Sequence, residues 1–207
     1  MRLRFPDPQG LADLAAYVRR ARVADPDGAI RLQASGPVLA GYVAMVPGSG
    51  LLGEGTVLGL RVMALAEPAE VDVTVPLAAV LDRVAHDAGT ELPVPPTTVR
   101  MPWAALSPPR SGWDRVGAVP ADDLNAVARK GIADIAEGAP PEAGAHAVAA
   151  LRRQVWGRVT DTTPPVPAGG AFAAYALGFS APGTEVTVWA HGRWTRLSSP
   201  VGHVLVR

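Results

Sequence analysis

The sequence predicts an α+β fold, with an N-terminal antiparallel β-meander flanked by two helices and a C-terminal helical half ending in a β-hairpin. Three observations carry this. Apolar residues recur at helical spacing over 11–18, 77–84, 124–135 and 148–159; apolar and polar residues alternate over 30–35 and 71–75; and short Gly- and Pro-rich turns join the segments. Short connections favour antiparallel neighbours, because parallel strands need a long crossover. With 207 residues, 48% of them hydrophobic and 18% charged, the chain can bury one substantial core or two small ones.

Asp7 and Pro8 stand where an N-cap and a first helical residue belong, and Leu11, Leu14, Ala15 and Val18 follow on one face against Asp13, Arg19, Arg20 and Arg22. The sequence D-P-D-G at 25–28 ends this helix in a turn. Ile30, Leu32 and Ala34 then alternate with Arg31, Gln33 and Ser35, and Ser35-Gly36-Pro37 reads as a reversal into a central strand over 38–46, apolar on both faces. A third strand is expected over 56–66 and a fourth over 71–75. Pro76 opens a helix with Leu77, Val80, Leu81 and Val84 on one face and Gly89 as its stop. Prolines 93, 95, 96 and 102 exclude regular structure between Thr90 and Pro102. Beyond them, Leu124, Val127, Ala128, Ile132 and Ile135 mark a helix closed by Gly138 and Pro140, and Val148, Leu151, Val155 and Val159 mark another. A short apolar helix is expected over 171–179. V-T-V-W-A-H-G-R-W-T-R-L, starting at Val186, reads as a hairpin turning at His191-Gly192, with a last strand over 204–206. The chain thus divides into a sheet half (1–89), a Pro/Trp-rich linker or strap (90–120) and a helical half with its hairpin (121–207), and the halves can form one compact domain.

Composition excludes several chemistries. Formal charge is zero and the pI is near 6.9, so no overall charge draws the chain to nucleic acid, anionic lipid or a highly charged substrate. The absence of cysteine removes disulfides, thiolate catalysis and Cys-based metal sites. The opening M-R-L-R-F-P-D-P leads into an amphipathic segment rather than an apolar signal core, and no apolar run is long enough to cross a membrane, so a cytoplasmic location is expected. Lys130 is the only lysine among the basic residues, the codon bias of a GC-rich bacterial genome.

Gly48-Ser49-Gly50-Leu51-Leu52-Gly53 matches G-x-G-x-x-G after a strand. A dinucleotide site needs a helix next, to set its N-terminus against the pyrophosphate, and the following T-V-L-G-L is strand-like, so a hairpin loop is the better reading. His86, His146, His191 and His203 lack metal-ligand spacing; His191 and His203 alone could converge across the last strands, without a third ligand. No G-x-S-x-G elbow is present. Asp122-Asp123 opens a helix, where carboxylates favour the positive dipole end without further chemistry. The C-terminal order of helices and hairpin also fits a winged helix. Its recognition segment, A-F-A-A-Y-A-L-G-F, has none of the Arg, Lys, Asn or Gln that reads base edges, and Arg193, Arg196 and Arg207 are a thin phosphate footprint.

The densest cluster of specialised residues is W-A-A-L-S-P-P-R-S-G-W-D-R from Trp103 to Arg115. Tryptophan and arginine combine large buried area with a directed polar handle and are frequent binding hot spots. Pro108-Pro109 hold Arg110 in an extended presentation. The structural alternative is that Trp103 and Trp113 plug a seam between the halves, with Arg110 paired to Asp114 or to a helix C-terminus. The leading expectation is a non-catalytic binding or scaffold protein, homodimeric or engaged with another protein, using Trp103, Arg110, Trp113 and Asp114 with Trp189, His191, Arg193 and Trp194 as contact residues. The rival is an enzyme or small-molecule binder with a pocket between the halves, Arg110 clamping a small anion and Asp114 or His191 as acid/base. A winged-helix nucleic-acid binder stands third and is not expected. No cofactor, metal or membrane partner is expected.

Overall fold

The computed structural model describes residues 1–49, 53–86, 89–139 and 144–207. They form two compact units, one of residues 1–44 and 59–107, the other of residues 45–58 and 108–207. The fold is α+β, with antiparallel strand pairing and helices interspersed between the strands.

In the first unit, β1 (Arg2–Arg4) pairs antiparallel with β4 (Glu91–Pro93), two three-residue strands too short to leave a periodic trace in the sequence; β4 corrects the expectation that Thr90 to Pro102 holds no regular structure, Pro93 standing at the strand's last position. Helix α1 (Pro8–Ala24) starts as its cap dictates, the Asp7 carboxylate accepting from the Gly10 amide at 3.0 Å with Pro8 at the first helical position. Leu11, Leu14, Ala15, Val18 and Ala21 are its buried face, and the turn at Asp25–Gly28 closes with a 3.1 Å bond from the Gly28 amide to the Asp25 carbonyl.

Strand β2 (Ala29–Val46) runs through Ser35-Gly36-Pro37, so the expected reversal there is corrected. Gly36 takes a φ of 60°, open to glycine, and shifts the pleat by one residue: Ile30, Leu32 and Ala34 are buried before it, Leu39 and Val43 after it. A positive φ serves a bulge as well as a turn, and the partner strand decides which. That partner is β3 (Val57–Pro76), a single strand where two were expected, with Pro68 at an exposed position. Arg31 meets Asp72 and the Gly36 amide meets Glu70, so residue numbers rise along β2 as they fall along β3. Helix α2 (Leu77–His86) follows and packs on α1. Residues 94–107 form a strap, with a 3-10 turn over Pro102–Ala105. The Arg31 guanidinium fixes the strap, donating to both Asp72 carboxylate oxygens at 2.7 and 2.6 Å and to the Ala104 carbonyl at 2.9 Å. The paired Asp72 raises the Arg31 pKa, against the opposing effect of burial.

In the second unit, β5 (Asp114–Pro120) is a strand where an irregular strap was expected. It pairs antiparallel with β6 (Glu185–His191), with a bulge between Arg115 and Gly117. β7 (Trp194–Ser199) and β8 (Gly202–Val206) continue the sheet. The start of β3 flanks β8 through bonds from the Gly55 amide to the Arg207 carbonyl (2.8 Å) and from the Arg207 amide to the Thr56 carbonyl (3.0 Å). Ser49 and Glu54 exchange backbone bonds; Gly50, Leu51 and Leu52 of the glycine-rich pattern lie outside the described residues, as does the expected helix stop at Pro140.

Helices α3 (Ala121–Gly138), α4 (Ala145–Trp156) and α5 (Ala168–Leu177) complete this unit. Residues 168–174 and Leu177 of α5 are all buried, as its uniformly apolar sequence requires. Asn125 and Ser180 bond to each other inside, Asn125 Nδ2 donating to the Ser180 carbonyl at 3.0 Å and Ser180 Oγ to Asn125 Oδ1 at 2.6 Å. Two expected core residues are exposed, Ile132 at 42% and Val159 at 70%. Helix α4 stops at Trp156, before Val159, and the buried place on α3 belongs to Gly131, against which the Trp156 ring lies.

Candidate functional site

Strand pleating gives the β5–β8 sheet two faces. Val186, Val188, Leu197, Val204 and Val206 point to the helices: a Cβ built on Gly170 of α5 would lie 3.1 Å from both Leu197 and Val206. Trp189, Arg196 and Leu205 are cross-strand partners on the opposite face, with His191 opposite Trp194 and Ser198 opposite His203. The hairpin turns at Gly192-Arg193, one residue later than expected. Gly192 takes a φ of 56° and Arg193 has no positive φ, the pattern of a type II′ turn. That single step replaces a Trp189–Trp194 pair with Trp189 opposite Arg196.

The loop before β5 folds onto this face. Trp113 Nε1 donates to the Pro109 carbonyl at 3.0 Å, and His191 Nδ1 donates to the Gly112 carbonyl, which fixes the tautomer with the proton on Nδ1. Gly112 takes a φ of 75° there, with no room for a Cβ against the His191 ring 3.0 Å away. The Trp113 and His191 rings lie 5.8 Å apart, tilted by 57°. The Arg196 guanidinium is central, 4.6 Å from the Trp113 ring and 5.0 Å from that of Trp189, and Arg207 stands 5.6 Å over Trp194. Burial holds the Arg196 pKa below its ordinary value; burial first, and the Arg196 charge second, hold that of His203 down.

Of the eight residues singled out in the sequence, Trp113, Trp189, His191 and Trp194 come together. Arg193 is at the turn, 3.7 Å from Glu54, with both side chains 72% exposed. Arg110 and Asp114 are exposed and form no ion pair with each other among the described residues. Trp103 belongs to the first unit, 7% exposed in its strap. His191 and His203 have separate hydrogen-bond partners, His203 Nδ1 lying 3.0 Å from Ser198 Oγ, and no group of three metal-ligating side chains occurs among the described residues. Arg196 is the residue whose centrality sequence reasoning missed. The signal was there: a turn at Gly192-Arg193 places Arg196 opposite Trp189.

Residues 1–105 match a family model described as "Domain of unknown function (DUF8010)", more than half of the chain. The chain belongs to this family. Residues 108–207 match a second model, "Domain of unknown function (DUF8185)". The junction coincides with the unit boundary at Ser107/Pro108, except that residues 45–58, inside the DUF8010 match, belong to the second unit. No curated protein matches the sequence. Solved structures show the fold. A putative DNA polymerase III beta subunit from Eubacterium rectale is similar with a TM-score of 0.60 at 8% identity, covering 100% of this chain and 64% of that one. The DNA polymerase III subunit beta from Pseudomonas aeruginosa gives 0.54 at 13%, again with 100% and 64% covered. The Thermotoga maritima beta subunit gives 0.51 at 15%, with the same coverage. This DUF8010 chain therefore has a sliding-clamp-like fold and spans less than two thirds of the length of those chains. The winged-helix alternative is corrected: the hairpin is part of a sheet in which β5 also pairs, and the supposed recognition helix α5 is core. Among the described residues no helix is long and apolar enough to cross a membrane.

Proposed function

We propose that this DUF8010 protein is a non-catalytic, cytoplasmic scaffold that binds other proteins, or a second copy of itself, through the β5–β8 face of its second unit. The observation that carries this reading is the half-buried layer of Trp113, Arg196 and Trp189 on a sheet face opposite the helices. Tryptophan and arginine dominate binding hot spots because they join large contact area to directed donors. Arg193, Arg110 and Asp114 border this layer as an exposed polar rim. The fold shared with structures titled as DNA polymerase sliding clamps is compatible with this binding role. Affinity capture with the full chain and with Trp113→Ala tests the reading. Specific partners, or a second copy detected by sedimentation, should be depleted roughly tenfold by the variant, as for loss of one hot spot. An unchanged partner set with a correctly folded variant refutes the use of this face.

A second reading has its own observation. Arg19, Arg20 and Arg22 are exposed on the last turns of α1, and the similar structures are titled as DNA polymerase clamps. A basic helix end can meet nucleic-acid phosphate without base readout, so the missing recognition helix does not weigh against it. Duplex-DNA affinity that falls steeply with salt, and falls further on replacing these three arginines, would establish it.

A further inference from the structure

A guanidinium withdrawn from water costs free energy unless a counter-ion or hydrogen bonds replace the water, so folded proteins pair such groups. Arg196 is held between two indoles, yet its Nε has no hydrogen-bond partner, and neither has the buried Nε1 of Trp189. None of the ion pairs formed among the described residues includes Arg196. Its surroundings repeat the imbalance. Arg207 shares the face, Arg115 lies opposite Trp189 at the sheet edge, and Arg110 and Arg193 are exposed nearby in the loop and turn. Against them stand Asp114 and Glu54, and only Glu54 makes an ion pair, the long contact with Arg193.

We propose that the β5–β8 face docks an extended acidic segment of a protein partner, whose carboxylates supply counter-ions to Arg196, Arg207 and Arg115, which take part in none of the ion pairs formed among the described residues. This rests on the scaffold reading and gives its partner a chemistry. Charge complementarity selects an anionic occupant, and the rings select between anions. Single-stranded nucleic acid binds such surfaces by stacking bases on open aromatic faces. Here Trp113 and Trp189 hold Arg196 against their rings, and Trp194 lies under Arg207 and is only 8% exposed. The indoles therefore orient guanidiniums, and a planar, oriented guanidinium takes a carboxylate through two parallel bonds.

The test uses the full chain and fluorescence anisotropy of three labelled probes: oligoglutamate, oligolysine and oligo(dT). Oligoglutamate should bind, and Arg196→Met should weaken it about tenfold or more, the effect of a lost charge-assisted hydrogen bond. Arg207→Ser and Arg115→Ser should each weaken it by a smaller factor and keep the test valid if Arg196→Met melts early. Oligoglutamate binding indifferent to all three substitutions overturns the proposal. So does Arg196-dependent binding of oligo(dT) in preference to oligoglutamate, which would give the face to nucleic acid. If affinity capture still depends on Trp113 while oligoglutamate is ignored, the acidic chemistry fails and the scaffold reading stands. If both fail, so does the scaffold.

Discussion

Gly131→Ala should destabilise the second unit, although the same substitution in an open helix interior would help. A Cβ at position 131 would stand 2.3 Å from Cζ3 and 2.6 Å from Cη2 of Trp156, where relaxed carbon contacts lie at about 3.5–4 Å. The indole has little room to withdraw. It is 3% exposed and stacks on Phe172 at 4.4 Å, and its own Cβ faces Gly169. Overpacking a filled site costs about 1–3 kcal/mol, and an overlap this deep belongs at the upper end. Removing a glycine from a helix interior returns about 1 kcal/mol. The net is a loss of about 2 kcal/mol, or a melting temperature lower by about 4–8 °C for a chain of this size. Thermal melts followed by circular dichroism measure it, and a Trp156→Phe background supplies the control. Phenylalanine lacks the atoms that clash, so there Gly131→Ala should be neutral or mildly stabilising. A melting temperature at or above wild type in the single variant, or the same loss in both backgrounds, would refute the steric argument.

Other consequences can be checked in parallel. Asn125→Leu strands the polar atoms of Ser180 in the core and should cost about 2–3 kcal/mol in urea unfolding at unchanged m-value. The folded His203 imidazolium is disfavoured by burial and by Arg196, so near pH 6 the unfolded chain binds more protons than the folded one. Stability should therefore fall as pH drops through the ordinary histidine range, and His203→Gln should flatten that part of the melting-temperature profile. Asp72→Ala frees Arg31, but Asp72 is 48% exposed, so the loss should stay near 1 kcal/mol. Its local signature should be faster amide exchange over residues 101–107. Expressed alone, residues 108–207 lack the 45–58 segment of their unit and should give no cooperative melt.

What could be read in the sequence was local. Asp7-Pro8 set the start of α1, and V-T-V-W-A-H against W-T-R-L set β6 and β7, because caps and pleats are written in neighbouring residues. What could not be read depended on distant partners. Gly36 fits a turn as well as a bulge until β3 lies alongside, and Asp114–Pro120 looks like a proline-flanked loop until β6, some seventy positions away, pairs with it. The candidate site shows the same split. The tryptophans stood out by type, whereas Arg196 gained its place from a turn register misjudged by one residue, enough to change every cross-strand neighbour.

The assignment of residues 45–58 to the second unit also bears on how the protein is made. Val57 and Leu58 are buried in the second unit beside β8, yet they leave the ribosome well before β8 does. At bacterial elongation rates of about 5–20 residues per second, the roughly 150 residues that follow Leu58 take about 7–30 s to synthesise. For that interval the edge of β3 that β8 will cover has no partner, an invitation to chaperones or to a neighbouring nascent chain on the same message. Synthesis order thus sets a waiting time into the fold, and slowing translation before residue 108 would lengthen it.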